Sequence, residues 1–216
     1  MRKFLYPMLV LSIANMAFAA EYGGKTPIVS DKLEVDGSRF NIEFVNERGH
    51  VCSAQGKMDK NLVWKGEEGC RIRFGFKGDK AEVDADGCKI YCGEGADFPS
   101  VYYKLPQICT KSGVKQMEKS FQTALKTGKN SQAIQLKQDY LKQCGEFLNP
   151  TETLAAANDA AGVYLKQNDK AACNKVLDAV RDSYEAPILG RDLSDRHNAE
   201  IGRAEKLKKQ CGGQAG

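Results

Sequence analysis

The chain reads as an α+β protein, with a small antiparallel β meander or barrel stapled by disulfides ahead of a bundle of helical hairpins. Three observations carry that reading. Between Arg39 and about Tyr103 the apolar residues alternate and turn formers are frequent, which is the pattern of short strands. After Cys109 the apolar spacing changes to three and four, the helical period. Eight cysteines, an even number, follow an N-terminal stretch with the form of a secretory leader.

That leader opens Met1-Arg2-Lys3-Phe4-Leu5, continues through the apolar "YPMLVLSIANMAFA" and ends small-x-small at Ala17-Phe18-Ala19. The run falls short of the roughly 20 apolar residues of a membrane span, so cleavage after Ala19 and no stable span afterwards are expected. Residues 1–19 are then a signal peptide, 20–109 a cysteine-rich β domain and 110–216 a helical domain in a periplasmic or secreted protein. The formal charge of +4 includes Arg2 and Lys3, and no acid precedes Glu21, so the processed chain stands near +2. Such a balance gives no nucleic-acid footprint.

In the processed part, "EYGGKTPIVSDKLEVDGS" carries glycines, charges and a proline and reads as a partly flexible lead-in. "RFNIEFVN" then places Phe40, Ile42 and Phe44 on one face. "HVCSAQGKM", "NLVWKG", "CRIRFGF" and "KAEVDA" follow as strands, divided at Glu68-Gly69 and Gly78-Asp79. Short strands at this spacing make an antiparallel meander that can close as a small barrel or sandwich. Helices are expected at about 112–127, 130–146, 150–167, 170–184 and 194–210. In the first, Val114, Met117, Phe121 and Leu125 form one stripe ahead of a left-handed stop at Gly128. Ala133, Leu136, Tyr140 and Leu141 continue the pattern in the second, and Asn149-Pro150 caps and opens the third.

An oxidising compartment makes Cys52, Cys70, Cys88, Cys92, Cys109, Cys144, Cys173 and Cys211 a framework of four disulfides. Read as a strand, Cys88 to Cys92 spans about 13 Å, beyond the roughly 7 Å that a bridge tolerates. Each of the two is therefore expected to reach another strand, with Cys52 and Cys70 as partners in either pairing. In an up-down bundle, Cys109 at the start of the first helix meets Cys144 at the end of the second. Cys173 and Cys211 meet in the same way at the opposite end.

Other chemistries find little support. His50, Cys52, Cys88 and Cys92 can be drawn as a zinc site, but export favours disulfides. Cys-x-x-x-Cys is one residue longer than a thioredoxin-like pair. Only His50 and His197 are histidines, and no Gly-x-Ser-x-Gly elbow occurs. His197 reads as solvated, as do Asp84 with Asp86, Glu67 with Glu68, and the basic end Lys206, Lys208 and Lys209. No catalytic residue, metal or cofactor is expected. The remaining signal is "ADFPSVYYKLP", where Phe98, Tyr102 and Tyr103, with Glu94 just before them, supply contact area at low entropic cost.

Two resemblances add to this. The segments "GHVCSAQGKM", "GCRIRF", "DGCKIYCGEGADF" and "YYK", through Gly49, His50, Cys52, Gly56, Cys70, Cys88, Cys92, Gly93 and Tyr103, resemble a small cysteine-rich β domain of Gram-negative periplasmic proteins, some described as lysozyme inhibitors. Where that family places an arginine after the Cys-Gly step, this chain has Glu94 and Gly95. "ALKTGKNSQA" from Ala124 aligns with "YLKQNDKAAC" from Tyr164, and the helical half resembles tetratricopeptide hairpins, although the offset of 40 exceeds their usual 34 or so. The resemblances imply a protein-binding protein that is not an enzyme, its partner a protein of the cell envelope. In the first form it is an inhibitor or immunity protein against a cell-wall hydrolase, working through the loop from Glu94 to Tyr103. In the second it is a periplasmic scaffold that uses the helical repeats.

Overall fold

The computed structural model describes residues 19–25, 30–46, 48–99, 101–186 and 191–212, so the expected leader, apart from Ala19, lies outside the described residues. Eight antiparallel strands come first: β1 (Ala20–Gly23), β2 (Ser30–Asp36), β3 (Arg39–Val45), β4 (Val51–Lys57), β5 (Val63–Lys65), β6 (Arg71–Lys77), β7 (Lys80–Asp86) and β8 (Val101–Lys104). Their spatial order, β4-β3-β2-β1-β8-β7-β6-β5, is two four-stranded meanders joined where β1 lies beside β8. The joint pairs Tyr22 with Lys104 and Gly23 with Tyr103. The β2–β3 and β6–β7 hairpins turn on two residues each, and Gly37 and Gly78 take the positive φ of 60° that such turns need.

The two end strands, β4 and β5, face each other across a seam that is closed by side chains more than by backbone. Cys92 bridges antiparallel to Cys52, and the Gly93 N–H donates to the Val51 carbonyl at 2.9 Å. Farther along, the Trp64 indole lies over Gly56, where any Cβ would collide with it. The result is a nearly closed barrel whose inward residues alternate as the period of two requires. Leu33, Ile42, Ile72 and Tyr102 are fully buried, and Phe40 packs on Phe74 and Trp64 at 4.7 and 5.5 Å between ring centres.

Five helices follow: α1 (Lys111–Lys126), α2 (Asn130–Cys144), α3 (Pro150–Lys166), α4 (Lys170–Asp178) and α5 (Arg191–Cys211). The caps explain the boundaries. Thr110 Oγ1 accepts from Gly113 N, and Asn149 with Glu152 forms a reciprocal capping box ahead of Pro150. α3 is central and packs on α2, α4 and α5. Its buried Ala156, Ala157, Ala160 and Ala161 let neighbours approach on several sides. The internal repeat is visible in the turns: Lys129 N donates to Ala124 O and Asp169 N to Tyr164 O, across Gly128 and Asn168, both at positive φ. Disulfides join Cys52 to Cys92, Cys70 to Cys88, Cys109 to Cys144 and Cys173 to Cys211.

Several expectations need correction. The lead-in is strand over much of its described length: it supplies β1 and β2, with Tyr22 and Leu33 in the core. The segment between Cys88 and Cys92 is a 3-10 turn over Lys89–Tyr91 instead of a strand, because Gly87, at φ 68°, breaks β7 immediately before it. The turn carries the two sulfurs to separate partners on β4 and ahead of β6. α4 ends at Asp178, with only a 3-10 turn over Arg181–Ser183 beyond it. His197 and Lys208 are buried, not solvated: they share one line of α5 with Ala204 and Cys211, facing α3 and α4.

Candidate functional site

The most exposed large apolar side chain among the described residues is Ile90, at 45%, just ahead of Val51 at 44%. It stands on the turn between Cys88 and Cys92, which the disulfides hold at Cα separations of 4.4 Å to Cys70 and 4.0 Å to Cys52. Two stapled ends so close together fix the turn against the barrel. Tyr91 fixes it further, since its hydroxyl accepts from Glu67 N at 2.9 Å and its ring meets Trp64 edge-on at 5.3 Å. Gly93 passes beside His50, where a Cβ would come within 2.9 Å of that side chain. Gly95 turns the chain at φ 70°, and Ala96 N closes back on Gly93 O at 3.1 Å.

These elements border an open groove of about 530 Å³. Glu68, Asp86 and Asp97 line it against a single lysine, Lys89, and Ile90 and Phe98 give it an apolar strip. All three carboxylates are exposed. The arrangement is that of a contact surface, an apolar knob on a stapled turn beside a groove lined by three carboxylates and one lysine. All eight cysteines are engaged in disulfides, which leaves none as a thiolate nucleophile or metal ligand. The same four bridges place the folded chain in an oxidising setting outside the cytoplasm. No described helix is long and apolar enough to cross a membrane.

The four residues expected to form a contact loop separate. Glu94 is exposed at the tip. Phe98 is only 9% exposed and Tyr102 is fully buried, so both belong to the barrel core and correct the expectation of an aromatic surface. The reason is strand parity: Tyr102 points inward from β8, where burial and the nearby Asp31 hold its hydroxyl protonated well above the usual tyrosine range. Tyr103 points outward and is half-buried, with the ammonium groups of Lys25 and Lys80 at 4.7 and 5.5 Å from its ring centre. Ile90, Asp86, Asp97 and Glu68 were missed. The signal that finds them is the glycine on either side of the two cysteines, which makes the intervening residues a turn.

Comparison with protein-family models, curated proteins and solved structures finds no match.

Proposed function

We propose that the protein is a periplasmic, non-enzymatic binding protein that docks a basic protein of the cell envelope on the groove around Ile90. The single observation that carries this reading is Ile90, 45% exposed on a doubly stapled turn, in a groove where Glu68, Asp86 and Asp97 outnumber the one lysine, Lys89. A fixed apolar anchor within a polar rim is the anatomy of a binding hot spot. Negative charge around it selects a positive partner and speeds encounter. A basic cell-wall hydrolase fits that description, and the resemblance to lysozyme-inhibitor-like β domains supports the same class. The test is inhibition of peptidoglycan hydrolysis by a basic lysozyme in the presence of the processed chain, with Ile90→Asp and Asp97→Lys alongside. Inhibition lost in both variants supports the reading; hydrolysis unaffected by excess wild-type protein, together with no binding to the hydrolase, rejects it.

A second reading, a periplasmic scaffold acting through tetratricopeptide-like hairpins, is favoured by the recurrence of one turn geometry at Gly128 and Asn168. In that case envelope proteins that co-purify with the wild-type chain remain bound to Ile90→Asp and are lost when exposed residues of α1 are changed.

A further inference from the structure

The two halves of α5 are held by different means. Toward its end, Ala204, Lys208 and Cys211 are buried, and Ala204 and Cys211 share an apolar cluster with Cys173 and Leu177 of α4. The Cys173–Cys211 bridge pins this half, with Lys208 on Asp178 at 2.9 Å and Asn174 donating to the Cys211 carbonyl at 3.0 Å. Of residues 194–203, by contrast, His197 alone is buried. None of those ten residues belongs to an apolar cluster. What holds them on α3 is polar: His197 Nδ1 against the Thr151 hydroxyl at 3.2 Å, Asn158 donating to the Glu200 carboxylate at 2.7 Å, and Arg203 on Asp159 at 2.6 Å.

His197 is 3% exposed, and its Nε2 has no hydrogen-bond partner among the described residues. A neutral ring can leave that nitrogen as a bare acceptor. An imidazolium carries a proton on both nitrogens, and the second then stands unpaired in a buried place. The charges around it are engaged elsewhere or exposed. On α3, Glu152 accepts from Asn149 N, and Asp159 holds Lys137 and Arg203. On α5, Glu200 is taken by Asn158 and Arg203, while Asp195 and Arg196 are exposed. α4 meets the other half of the helix, where Asp178 faces Lys208, and on the turn beyond it Arg181 pairs with Asp178 while Asp182 and Glu185 are exposed. Burial is thus the influence on the ring, and it lowers the pKa below 6.5.

We propose that the N-terminal half of α5 is an acid-released strap: protonation of His197 frees residues 194–203 from α3, while the bridge at Cys211 keeps the rest of the helix docked. The hinge falls at Ala204, where apolar burial begins. Release uncovers Thr151 and Asn158 on α3, the second of which is fully buried under the strap. Once undocked, a stretch of about ten residues is too short to stay helical in water, so release is read as loss of amide protection. The device lies in the helical half and does not depend on the groove at Ile90.

Amide hydrogen exchange of the processed full chain, corrected for the intrinsic effect of pH, is measured at pH 7 and pH 5. Protection of residues 197–203 is expected to fall at least ~5-fold, within the ceiling of about 25-fold that linkage to one ordinary histidine sets over this range. At pH 5 it should lie about tenfold or more below that of residues 208–211 and depend little on added urea, as a local opening does. His197→Gln should abolish the response, whereas Glu200→Gln and His50→Gln keep it. The titration of the His197 ring in the wild-type chain, followed by NMR, needs no variant: its midpoint should fall below 6.5, where the loss of protection levels off. Protection unchanged by pH, a response that survives in His197→Gln, or a ring midpoint at or above 6.5 overturns the proposal. So does equal protection in both halves of α5 at pH 5, because the helix then opens as one piece.

Discussion

The barrel and the helical half solve the same problem differently. Buried side chains in the barrel form one continuous cluster, from Tyr22 and Leu33 through Phe74 to Tyr102. Those of the helical half divide into three smaller clusters. Between these sit polar groups that are themselves buried: Lys137 with Asp159 at 2.8 Å, Asn158 donating to Glu200 O at 2.9 Å, and His197 against Thr151 at 3.2 Å. A nearly closed sheet wraps its core, whereas four helices around a small-residue α3 leave gaps that polar side chains fill. The difference teaches where each half is vulnerable: the barrel to loss of volume, the helices to loss of a bridge or a change of charge.

The largest effect should come from emptying the barrel. Phe74→Ala is expected to cost about 3–5 kcal/mol, because neighbouring strands cannot collapse into the space. Phe121→Ala, in one of the divided helical clusters, should fall at the lower end of that range. Denaturant unfolding of both variants checks the contrast, and equal losses would remove the distinction between continuous and divided cores.

Bridges come next. In the chain-entropy account each disulfide contributes about 3–4 kcal/mol for loops of these lengths. Cys173→Ala/Cys211→Ala should release α5, seen as early hydrogen exchange from residue 197 onward while the barrel amides stay protected. Cys70→Ala/Cys88→Ala should leave α5 unchanged and expose the turn at Ile90. Uniform loss of protection in both variants would show that the two halves unfold as one unit.

A smaller effect is specific to the helices. Burial lowers the pKa of His197 below the usual histidine value of 6.5. The unfolded chain therefore takes up the proton first, and stability falls as pH drops through and below about 6.5, at no more than about 1.4 kcal/mol per pH unit for one proton. Asp178 behaves in the usual carboxylate sense. The hydrogen bond from Lys208 depresses its pKa below 3.8, so its stabilising contribution is lost only at much lower pH. Stability measured between pH 7 and 5 should flatten in His197→Gln, and an unaltered slope would assign the dependence to other groups.

How much of this could be read from residues alone follows the same division. β3 to β7 declare themselves by strict alternation, and α1 to α3 by stripe, cap and stop. The bridges Cys109–Cys144 and Cys173–Cys211 follow from hairpin geometry without any structure. β1 and β8 are four residues each and pair with one another across about 80 residues of chain, so no local pattern announces either. "VYYK" has no polar alternate to tell inward Tyr102 from outward Tyr103. "KIY" has strand-forming residues in a turn imposed by its flanks, and that misreading displaced the candidate site from Ile90 to the aromatic segment beyond it. His197 and Lys208 are buried on a helix whose composition is otherwise polar, and only the line they share with Ala204 and Cys211 reveals it.

The smallest expected effect on stability is also the one that bears most on the site. Ile90 stands outside the barrel cluster, so Ile90→Asp should change unfolding free energy by no more than about 0.5 kcal/mol, as for surface positions generally. Phe98→Ala, eight residues along and inside that cluster, should cost several times more. If the groove is a docking surface, the order reverses for binding: Ile90→Asp abolishes capture of a basic hydrolase, while Phe98→Ala weakens it only as far as it loosens the fold. A stapled turn separates the two roles because its disulfides carry the fold's demand for rigidity. The side chain between them is then left free of packing duty. Were Ile90→Asp to destabilise as much as Phe98→Ala, Ile90 would be part of the core, and the contrast between a packed wall and a free contact point would fail at that residue.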